Sequence, residues 1–468
     1  MQHAPIRERE PGRRWTLKDI VDEPRLHAAV AAGARASAAE VRALIRKAKR
    51  CRGLTVEETA VLLHQDRRPA LRREILAAAG AVKRAVYGNR LVFFAPLYIT
   101  NRCSNNCLYC AYRRDNTDLP RRTLTPRDIA RQVEILEDQG HKRVLLVAGE
   151  TPDFGHVLEA LETIYATRKG QGEIRRVNVN IAPPTTAQFR RLKRVGIGTY
   201  QCFQETYHRG TYRRMHPDGP KADFRRRLTV MDRAYRAGVD DVSTGVLLGL
   251  YDYRFDVAGM VMHADYLERR YGVGPHAVSV PRLRVARGTP LCGELEWGRH
   301  PHLLRDDQFK LVVAVLRLAL PYAGLILTTR ETPRMRRVLF NAGVSQISAG
   351  SHTDVGGYAR GEKRRGGQFE LEDTRPLDVV IRDVIASDNL PSFCTACYRC
   401  GRTGETIMGL IKPGTIKSFC FPNALLTFQE YLEDYASPAT RRIGRPFLAR
   451  QLARVPGAVR AETRRRLA

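Results

Sequence analysis

The first 89 residues carry apolar side chains at intervals of three to four positions, which predicts amphipathic helices. The pattern is strongest in two Ala-rich stretches, 26–50 and 69–86. Beyond residue 89 it changes to short apolar runs separated by amphipathic segments, the alternation expected of strands and helices. The eight predicted strands span residues 91–99, 144–148, 177–181, 199–203, 242–248, 277–280, 325–329 and 346–349.

Helices are predicted between these strands. One is capped by Thr125, with Pro126 at its first position and Asp128 in its first turn, and it ends at Gly140. Others are predicted to begin near residues 154, 186, 222, 256, 306 and 333. Eight strands alternating with helices predict the α/β class and a parallel, TIM-type (β/α)8 barrel, whose catalytic loops follow the C-terminal ends of the strands. An open, doubly wound sheet is compatible with the same pattern.

These patterns divide the chain into three parts. Residues 1–89 are predicted to form an N-terminal helical extension and residues 90–350 the barrel. After residue 350 the alternation stops. A C-terminal domain is predicted at 351–468, and it begins with a Gly-rich, charged loop over 351–367 that leads to a group of cysteines. The Arg-rich tail from Thr440 is predicted to be a solvated helix or disordered.

The composition is strongly basic, with 79 Lys and Arg against 49 Asp and Glu, a formal charge of +30. Such a charge attracts nucleic acid, anionic lipid or acidic protein. The basic residues are spread along the whole chain and form no RNA-binding fingerprint, which favours a solvated basic surface over a nucleic-acid site. The apolar stretch 318–329 contains Pro321 and is too short to span a bilayer. We therefore expect a cytoplasmic protein that does not bind membranes.

Seven of the ten cysteines lie in two tight clusters, a distribution that indicates metal binding under reducing conditions rather than disulfides. Cys103, Cys107 and Cys110 form a Cys-x3-Cys-x2-Cys loop directly after the first predicted strand. Three ligands leave one iron of a 4Fe-4S cluster open, and this iron can chelate S-adenosylmethionine (SAM). Reductive cleavage of SAM then gives a 5′-deoxyadenosyl radical. A structural zinc or an electron-transfer cluster would need a fourth ligand close by, so the loop predicts a radical SAM enzyme.

Further residues near the loop are candidates for binding SAM. Tyr109 precedes the third cysteine and is expected to lie against the adenine. Gly149 and Glu150 follow the second predicted strand. A glycine permits close backbone approach, and a carboxylate can accept a hydrogen bond from the SAM ammonium group.

The second cysteine cluster lies near the C-terminus. Cys394, Cys397 and Cys420 form a Cys-x2-Cys-x22-Cys pattern, and Cys400 is an additional cysteine beside it. Thiolates at this spacing suit either a structural zinc or an iron–sulfur cluster, and the residue types alone do not separate the two. If Cys400 stays free, three ligands again leave an iron available for chemistry.

With both clusters, residues 19–433 resemble the HydG family of radical SAM tyrosine lyases, which act in the maturation of FeFe-hydrogenases. Besides the first cysteine loop, the resemblance lies in RVNVNI at 176–181, FQETYH at 203–208, GLYDYRF at 249–255, GVGPH at 272–276, TRET at 329–332, QISAG at 346–350 and FCTACYR at 393–399.

The resemblance implies that the radical cleaves the Cα–Cβ bond of L-tyrosine, giving p-cresol and dehydroglycine. An auxiliary iron–sulfur cluster, held by Cys394, Cys397 and Cys420, would convert dehydroglycine to CO and cyanide bound to iron. Two iron–sulfur clusters and SAM are then the cofactors. A ferredoxin or flavodoxin is the expected electron donor, and other hydrogenase maturation proteins are possible partners. Cys400 departs from the expected aliphatic residue and leaves the auxiliary chemistry open.

The barrel and the resemblance together place further candidates. His276 precedes the sixth predicted strand, so we expect it at the bottom of the barrel as a ligand of an additional iron; His263 is the second choice. A backbone-bonded loop histidine is the alternative. Arg330 ends the seventh predicted strand and is expected to clamp the tyrosine carboxylate, unless it forms an ordinary ion pair with Glu331.

Three residues at the ends of other strands are lesser candidates for holding SAM or substrate. Gln204 and Glu205 follow the fourth predicted strand, and Ser348 lies in the eighth.

Two other functions fit part of the sequence. A 2-iminoacetate synthase of thiamine biosynthesis, similar to ThiH, would share the first cluster and tyrosine cleavage but should lack the second cysteine cluster. A basic iron–sulfur protein that binds nucleic acid or acts as a scaffold would explain charge and clusters, but not Glu150, the eight-strand alternation or Arg330.

Overall fold

A computed structural model describes residues 6, 8–359, 367–455 and 457–467. The chain begins with five helices: α1 Leu17–Ile20, α2 Glu23–Gly33, α3 Ala38–Ala48, α4 Val56–Leu63 and α5 Pro69–Tyr87. Ser37 and Thr55 start α3 and α4 with capping boxes. The buried faces of α4 and α5 pack on the outside of the barrel.

Eight parallel strands form a closed barrel, so the (β/α)8 prediction is confirmed and the open sheet is excluded. Closure is visible at the first strand, which pairs with both the second and the eighth. The strands are β1 Arg90–Thr100, β2 Arg143–Ala148, β3 Arg176–Asn180, β4 Tyr200–Glu205, β5 Val242–Val246, β6 Ala277–Ser279, β7 Gly324–Leu327 and β8 Gln346–Ser348.

The helices between the strands cover the outside of the barrel. They are α6 Pro126–Asp138, α7 Phe154–Ala166, α8 Thr186–Val195, α9 Arg209–Met215, α10 Phe224–Leu228, α11 Val230–Arg236, α12 Tyr253–Tyr271, α13 Cys292–Glu296, α14 Asp306–Ala319 and α15 Pro333–Phe340. Thr125 and Asp128 form the predicted capping box of α6. The helix predicted from residue 222 is instead two short helices, and α12 begins at Tyr253 because Asp252 caps it.

Beyond the barrel, the described residues add a ninth strand and six α-helices. The strand β9 Leu390–Ser392 pairs in parallel with β1. It was not predicted, since three residues including a proline carry no periodic signal. The helices are α16 Leu377–Ala386, α17 Ala396–Arg399, α18 Gly404–Ile411, α19 Ile416–Asp434, α20 Pro438–Leu452 and α21 Gly457–Leu467.

The Arg-rich tail is more ordered than its charge indicates. In α20, Phe447 and Leu448 are buried against α16 and α19. The hydroxyl of Thr440 donates to Asp378 at 2.8 Å. The predicted helix is therefore present in α20, but it is not solvated on every side, because its few apolar residues form one packed face between the arginines. Among the described helices, none has an apolar stretch long enough to cross a membrane.

Candidate functional site

A large cavity opens at the C-terminal ends of the barrel strands. Most residues predicted for SAM and substrate line this upper cavity: Cys103, Cys107, Tyr109, Cys110, Gly149, Glu150, Glu205, Arg330 and Ser348. In the part of the chain that the structure describes, no three His, Cys, Asp or Glu side chains converge on a point that a single ion could occupy. The three thiols are instead distributed along the cavity wall.

The cysteine loop is held in place by its backbone. The amide of Ser104 donates to Glu150 O at 2.8 Å, and the amide of Leu108 donates to Met215 O at 3.1 Å. Gly149 lies so close to the loop that a Cβ atom there would be 2.1 Å from Arg102 O. Only glycine therefore fits at position 149 without displacing the loop.

Burial makes the three thiols weak acids. It raises the pKa of Cys103 to about 11 and raises the pKa of Cys107 and Cys110 as well. The thiols thus stay protonated at neutral pH until a metal offsets the unfavourable burial of the thiolate charge. Three thiols on one short loop, of which Cys107 is buried and the other two are half-buried, are the donor set that a site-differentiated iron–sulfur cluster requires.

Four buried charges balance each other beside the loop. Arg227 Nη1 donates to Glu150 Oε1 at 2.8 Å, and Lys221 Nζ donates to Glu205 Oε1 at 2.6 Å. Arg227 also lies 3.7 Å from Glu205. Burial would raise the pKa of Glu150, but Arg227 and Lys221 outweigh it and hold this pKa below its ordinary value. The Glu150 carboxylate is therefore ionised at neutral pH, and hydrogen bonds from Arg227 and Lys221 fix both carboxylates in position.

Lys221 and Arg227 were not predicted as site residues, and no sequence signal identifies them. They come from a three-residue 3-10 helix and a five-residue α-helix after β4, and only the fold brings them to the cavity.

A β-bulge decides which residues of β4 face the cavity. The pairing of β4 with β5 shifts between Phe203 and Glu205, and Glu205 adopts a positive φ of 68°. Glu205 consequently lines the cavity, whereas Gln204, the extra residue of the bulge, does not. The expectation that Gln204 shares this site is wrong for that reason.

Tyr109 is held by a buried histidine that the sequence did not indicate. The Tyr109 hydroxyl and His216 Nε2 are 2.8 Å apart, and His216 Nδ1 lies 2.7 Å from the carbonyl of Tyr212. Burial lowers the pKa of His216, so the ring is neutral and Nδ1 carries its proton to donate to that carbonyl. The phenol of Tyr109 must then be the donor to Nε2.

Arg330 reaches the upper cavity three residues after β7 ends. Its guanidinium carbon lies 3.4 Å from the centre of the Phe369 ring, and Nη1 donates to Arg282 O at 3.3 Å. Its Nε has no hydrogen-bond partner among the described residues. The alternative ion pair with Glu331 is wrong, because Glu331 binds Arg282 and Arg284 instead. Burial lowers the pKa of Arg330 to about 10, so it remains charged at neutral pH.

Two further polar groups lie near Arg330. Ser348 Oγ accepts a hydrogen bond from the amide of Thr329 at 3.2 Å. Arg284, which was not predicted, also lines the cavity.

A second cavity lies at the N-terminal ends of the strands. Its wall includes Cys394, Cys397, Cys420 and His276, the candidates for the auxiliary site. His263 does not line it; its Nδ1 is instead 3.0 Å from the Tyr207 hydroxyl on the outer side of the barrel. Cys400 is exposed and does not line it either.

The lower cavity is strongly cationic. Arg90, Arg143 and Arg176 line it together with His276. Arg176 pairs with Asp241 at 3.2 Å. Burial, aided by Arg176, lowers the pKa of Arg143 to about 9. The Nε atoms of Arg90 and Arg143 and Nδ1 of His276 are buried without a hydrogen-bond partner in the described part of the chain.

This environment favours thiolate at one cysteine. A hydrogen bond from the Cys397 thiol, together with the nearby arginines, lowers the pKa of Cys420 to about 6. Burial also lowers the pKa of His276, which is then neutral and able to ligate a metal. Three cysteines, one neutral histidine and surrounding guanidinium groups are a donor set that fits an anionic iron–sulfur cluster.

The two cavities are stacked along one barrel axis. Every second side chain of a barrel strand points inward. On β1 and β7, two successive inward side chains line different cavities. Val92 and Gly324 line the lower cavity, whereas Phe94 and Ile326, two positions further along, line the upper one. On β1 and β7, therefore, no inward-facing position lies between the two cavities.

Comparison with known proteins agrees with this arrangement. The model of the Radical SAM superfamily matches residues 97–260, and that of the Biotin and Thiamin Synthesis associated domain matches residues 279–389. A 2-iminoacetate synthase of Escherichia coli is 32% identical over 326 residues, which are 68% of this chain and 81% of that protein.

Two solved structures extend the similarity to nearly the whole chain. A crystal structure of HydG, a maturase of the FeFe-hydrogenase, superposes with a TM-score of 0.92 at 46% identity, covering 96% of this chain and 97% of that one. HydG from Carboxydothermus hydrogenoformans superposes with a TM-score of 0.82 at 36% identity, covering 97% and 100%. The chain therefore belongs to the HydG family of radical SAM enzymes.

Proposed function

We propose that this enzyme cleaves L-tyrosine to p-cresol and dehydroglycine and converts dehydroglycine to CO and cyanide on iron, for assembly of the active site of an FeFe-hydrogenase. The observation that carries the proposal is the pair of thiol-lined cavities at opposite ends of one barrel. The division of the chain at residues 89 and 350 is part of the proposal: the barrel performs the cleavage, and the segment 351–468 supplies the thiols of the second site.

The radical SAM domain implies a 4Fe-4S cluster and SAM. Cys103, Cys107 and Cys110 would hold this cluster. When bound, SAM and its cluster supply a 5′-deoxyadenosyl radical that can take a hydrogen atom from the tyrosine amino group. Tyr109 would lie against the adenine, and Glu150, kept ionised by Arg227, would accept from the SAM ammonium group.

Arg330 would bind the tyrosine carboxylate. Its Nε is buried and lacks a partner within the described residues, so its guanidinium fork can donate two parallel hydrogen bonds. Glu205 would orient the substrate from the opposite wall, since Lys221 holds its carboxylate in one position. Ser348 would contribute a hydroxyl to the same cavity. The buried surroundings strengthen each of these bonds by excluding water.

Cys394, Cys397 and Cys420 would hold the auxiliary iron–sulfur cluster, and His276 would ligate an additional iron. Support comes from the neutral imidazole of His276, its unpartnered Nδ1 among the described residues, and the cationic wall of Arg90 and Arg143. Dehydroglycine formed at the upper cavity would reach this site through the barrel interior. The Ser243 and Ser279 hydroxyls are buried there without partners in the described chain, so they can hydrogen-bond a polar molecule.

The proposal includes partners beyond tyrosine. The enzyme needs a one-electron donor such as a ferredoxin or flavodoxin, and it would pass its product to other hydrogenase maturation proteins.

Anaerobic reconstitution with iron and sulfide, followed by SAM, dithionite and tyrosine, tests the first stage. We expect p-cresol and 5′-deoxyadenosine; 5′-deoxyadenosine formed with other products and no p-cresol would contradict the tyrosine assignment.

The second stage is tested by infrared bands of iron-bound CO and cyanide. A Cys394→Ala, Cys397→Ala variant should lose these bands and still release p-cresol, whereas a Cys400→Ala control should keep both. If the native enzyme forms p-cresol and no bands, the 2-iminoacetate synthase activity is the better assignment. If the bands persist in the double variant, the C-terminal cysteines are structural.

A further inference from the structure

One side chain connects a thiol of the cysteine loop with the wall of the upper cavity. Gln368 Nε2 donates to Cys110 Sγ at 3.5 Å, and Gln368 Oε1 accepts from the Tyr98 hydroxyl at 3.1 Å. Gln368 belongs to the C-terminal part of the chain, 258 residues beyond Cys110. The family resemblance and the sequence motifs do not include it.

The orientation of the Gln368 amide follows from its partners. A phenol donates readily to a carbonyl oxygen, and the amide nitrogen has no lone pair to accept such a bond. Tyr98 therefore turns Oε1 toward itself and leaves Nε2, with its two protons, facing the sulfur. A flipped amide would place its carbonyl oxygen against the cluster-bound thiolate of Cys110, which has no proton to donate.

The backbone of Gln368 is fixed as well. Its amide donates to Thr353 O at 3.2 Å, and its carbonyl accepts from the amide of Ala111 at 3.3 Å. Ala111 directly follows Cys110, so the same short segment receives a main-chain and a side-chain bond from Gln368. Tyr112 also donates its hydroxyl to Thr353 O, at 2.5 Å.

Hydrogen bonds to cluster sulfurs stabilise the more negative, reduced state of an iron–sulfur cluster and so raise its reduction potential. We propose that Gln368 is a positioning residue that fixes Cys110 and sets the reduction potential of the SAM-binding cluster through the Nε2–H···Sγ bond. This inference rests on the radical SAM cluster and is independent of the proposed tyrosine cleavage.

The test is an EPR-monitored redox titration of the reconstituted enzyme in the absence of tyrosine. We expect this bond to favour the reduced over the oxidised cluster about tenfold, which is ~59 mV for a one-electron couple. Gln368→Leu should therefore lower the potential by this amount. Gln368→Glu should lower it at least as far at pH 8, because a carboxylate oxygen would face the sulfur.

Two variants separate this effect from a structural one. Gln132→Leu is the matched control. Gln132 Oε1 accepts from the amide of Tyr358 at 2.9 Å, so the variant loosens the C-terminal part of the chain ten residues before Gln368 and leaves the bond from Gln368 to sulfur in place. Its potential should equal that of the native enzyme. Tyr98→Phe should give a smaller decrease than Gln368→Leu, because the amide is then free to rotate.

An unchanged potential in Gln368→Leu, at full iron content, would overturn the proposal. Equal shifts in Gln368→Leu and Gln132→Leu would also overturn it, because the cause would then be loosening of the segment. If Gln368→Leu does not retain its cluster, Tyr98→Phe decides: a native potential in that variant would contradict the role assigned to the amide. Since p-cresol is not measured, failure of the tyrosine assignment leaves these outcomes unaffected.

Discussion

Replacing Arg330 by methionine should weaken substrate binding without unfolding the protein. A bidentate carboxylate bond lost from a buried site corresponds to two charged hydrogen bonds, about 3 kcal/mol at the lower end of their range. At about 1.4 kcal/mol per factor of ten, the KM for tyrosine should rise about 100-fold. Arg330→Lys, which keeps the charge but only one directed bond, should raise it about tenfold.

Replacing Arg330 by methionine should change the stability of the protein only slightly, whereas replacing a structural arginine should lower it. Arg330 is half-buried with its Nε fully enclosed, and the nearby Glu331 binds other arginines, so removing its charge relieves a desolvation penalty that roughly offsets the lost contact with Phe369. We expect the unfolding free energy of the Arg330→Met variant to differ from that of the native protein by less than about 1 kcal/mol.

Arg336 provides the contrast, because it forms an ion pair with Asp373 in which both side chains are fully buried. Arg336→Met should destabilise the protein by about 3 kcal/mol, since the carboxylate loses a buried partner. Urea titrations of the apoproteins give the stabilities, and initial rates of p-cresol formation give KM. A native KM for Arg330→Met, or a loss of stability equal to that of Arg336→Met, would refute the assignment of a substrate clamp.

Three further predictions concern the two cavities. Gly149→Ala should abolish cluster loading, because its Cβ would overlap a backbone carbonyl of the cysteine loop. The measurement is iron content after reconstitution. Gly155→Ala, whose Cβ would meet nothing closer than 3.5 Å, is the control. Arg227→Met should lower the unfolding free energy by about 3–5 kcal/mol at pH 7. Arg227 helps hold the pKa of Glu150 below its ordinary value of 4.5. The stabilisation is therefore present above pH 4.5 and is lost as the pH falls through the lowered pKa. The difference in unfolding free energy between the variant and the native protein should accordingly shrink in acid. His276→Ala should remove one iron per chain with p-cresol formation unchanged, and an unchanged iron count would contradict its role as a ligand.

Local features of the sequence predicted much of this protein. The eight barrel strands and the capped start of α6 follow from periodicity and capping residues, which are properties of neighbouring positions. The cysteine loop follows from spacing alone, because its three residues lie within eight positions. Arg330 and Glu150 could be placed because residues just beyond the C-terminal ends of barrel strands meet at one face.

The tertiary structure alone decided which groups surround these residues. Lys221, Arg227 and Gln368 lie on irregular or very short segments without periodicity, and they reach the upper cavity only because the barrel closes. The bulge that turns Glu205 inward and excludes Gln204 depends on pairing with β5, which no local pattern encodes. Sequence spacing thus determined the reactive groups. Their charge balance, their hydrogen bonds and their positions in the cavity depend on contacts between distant segments, which exist only in the folded chain.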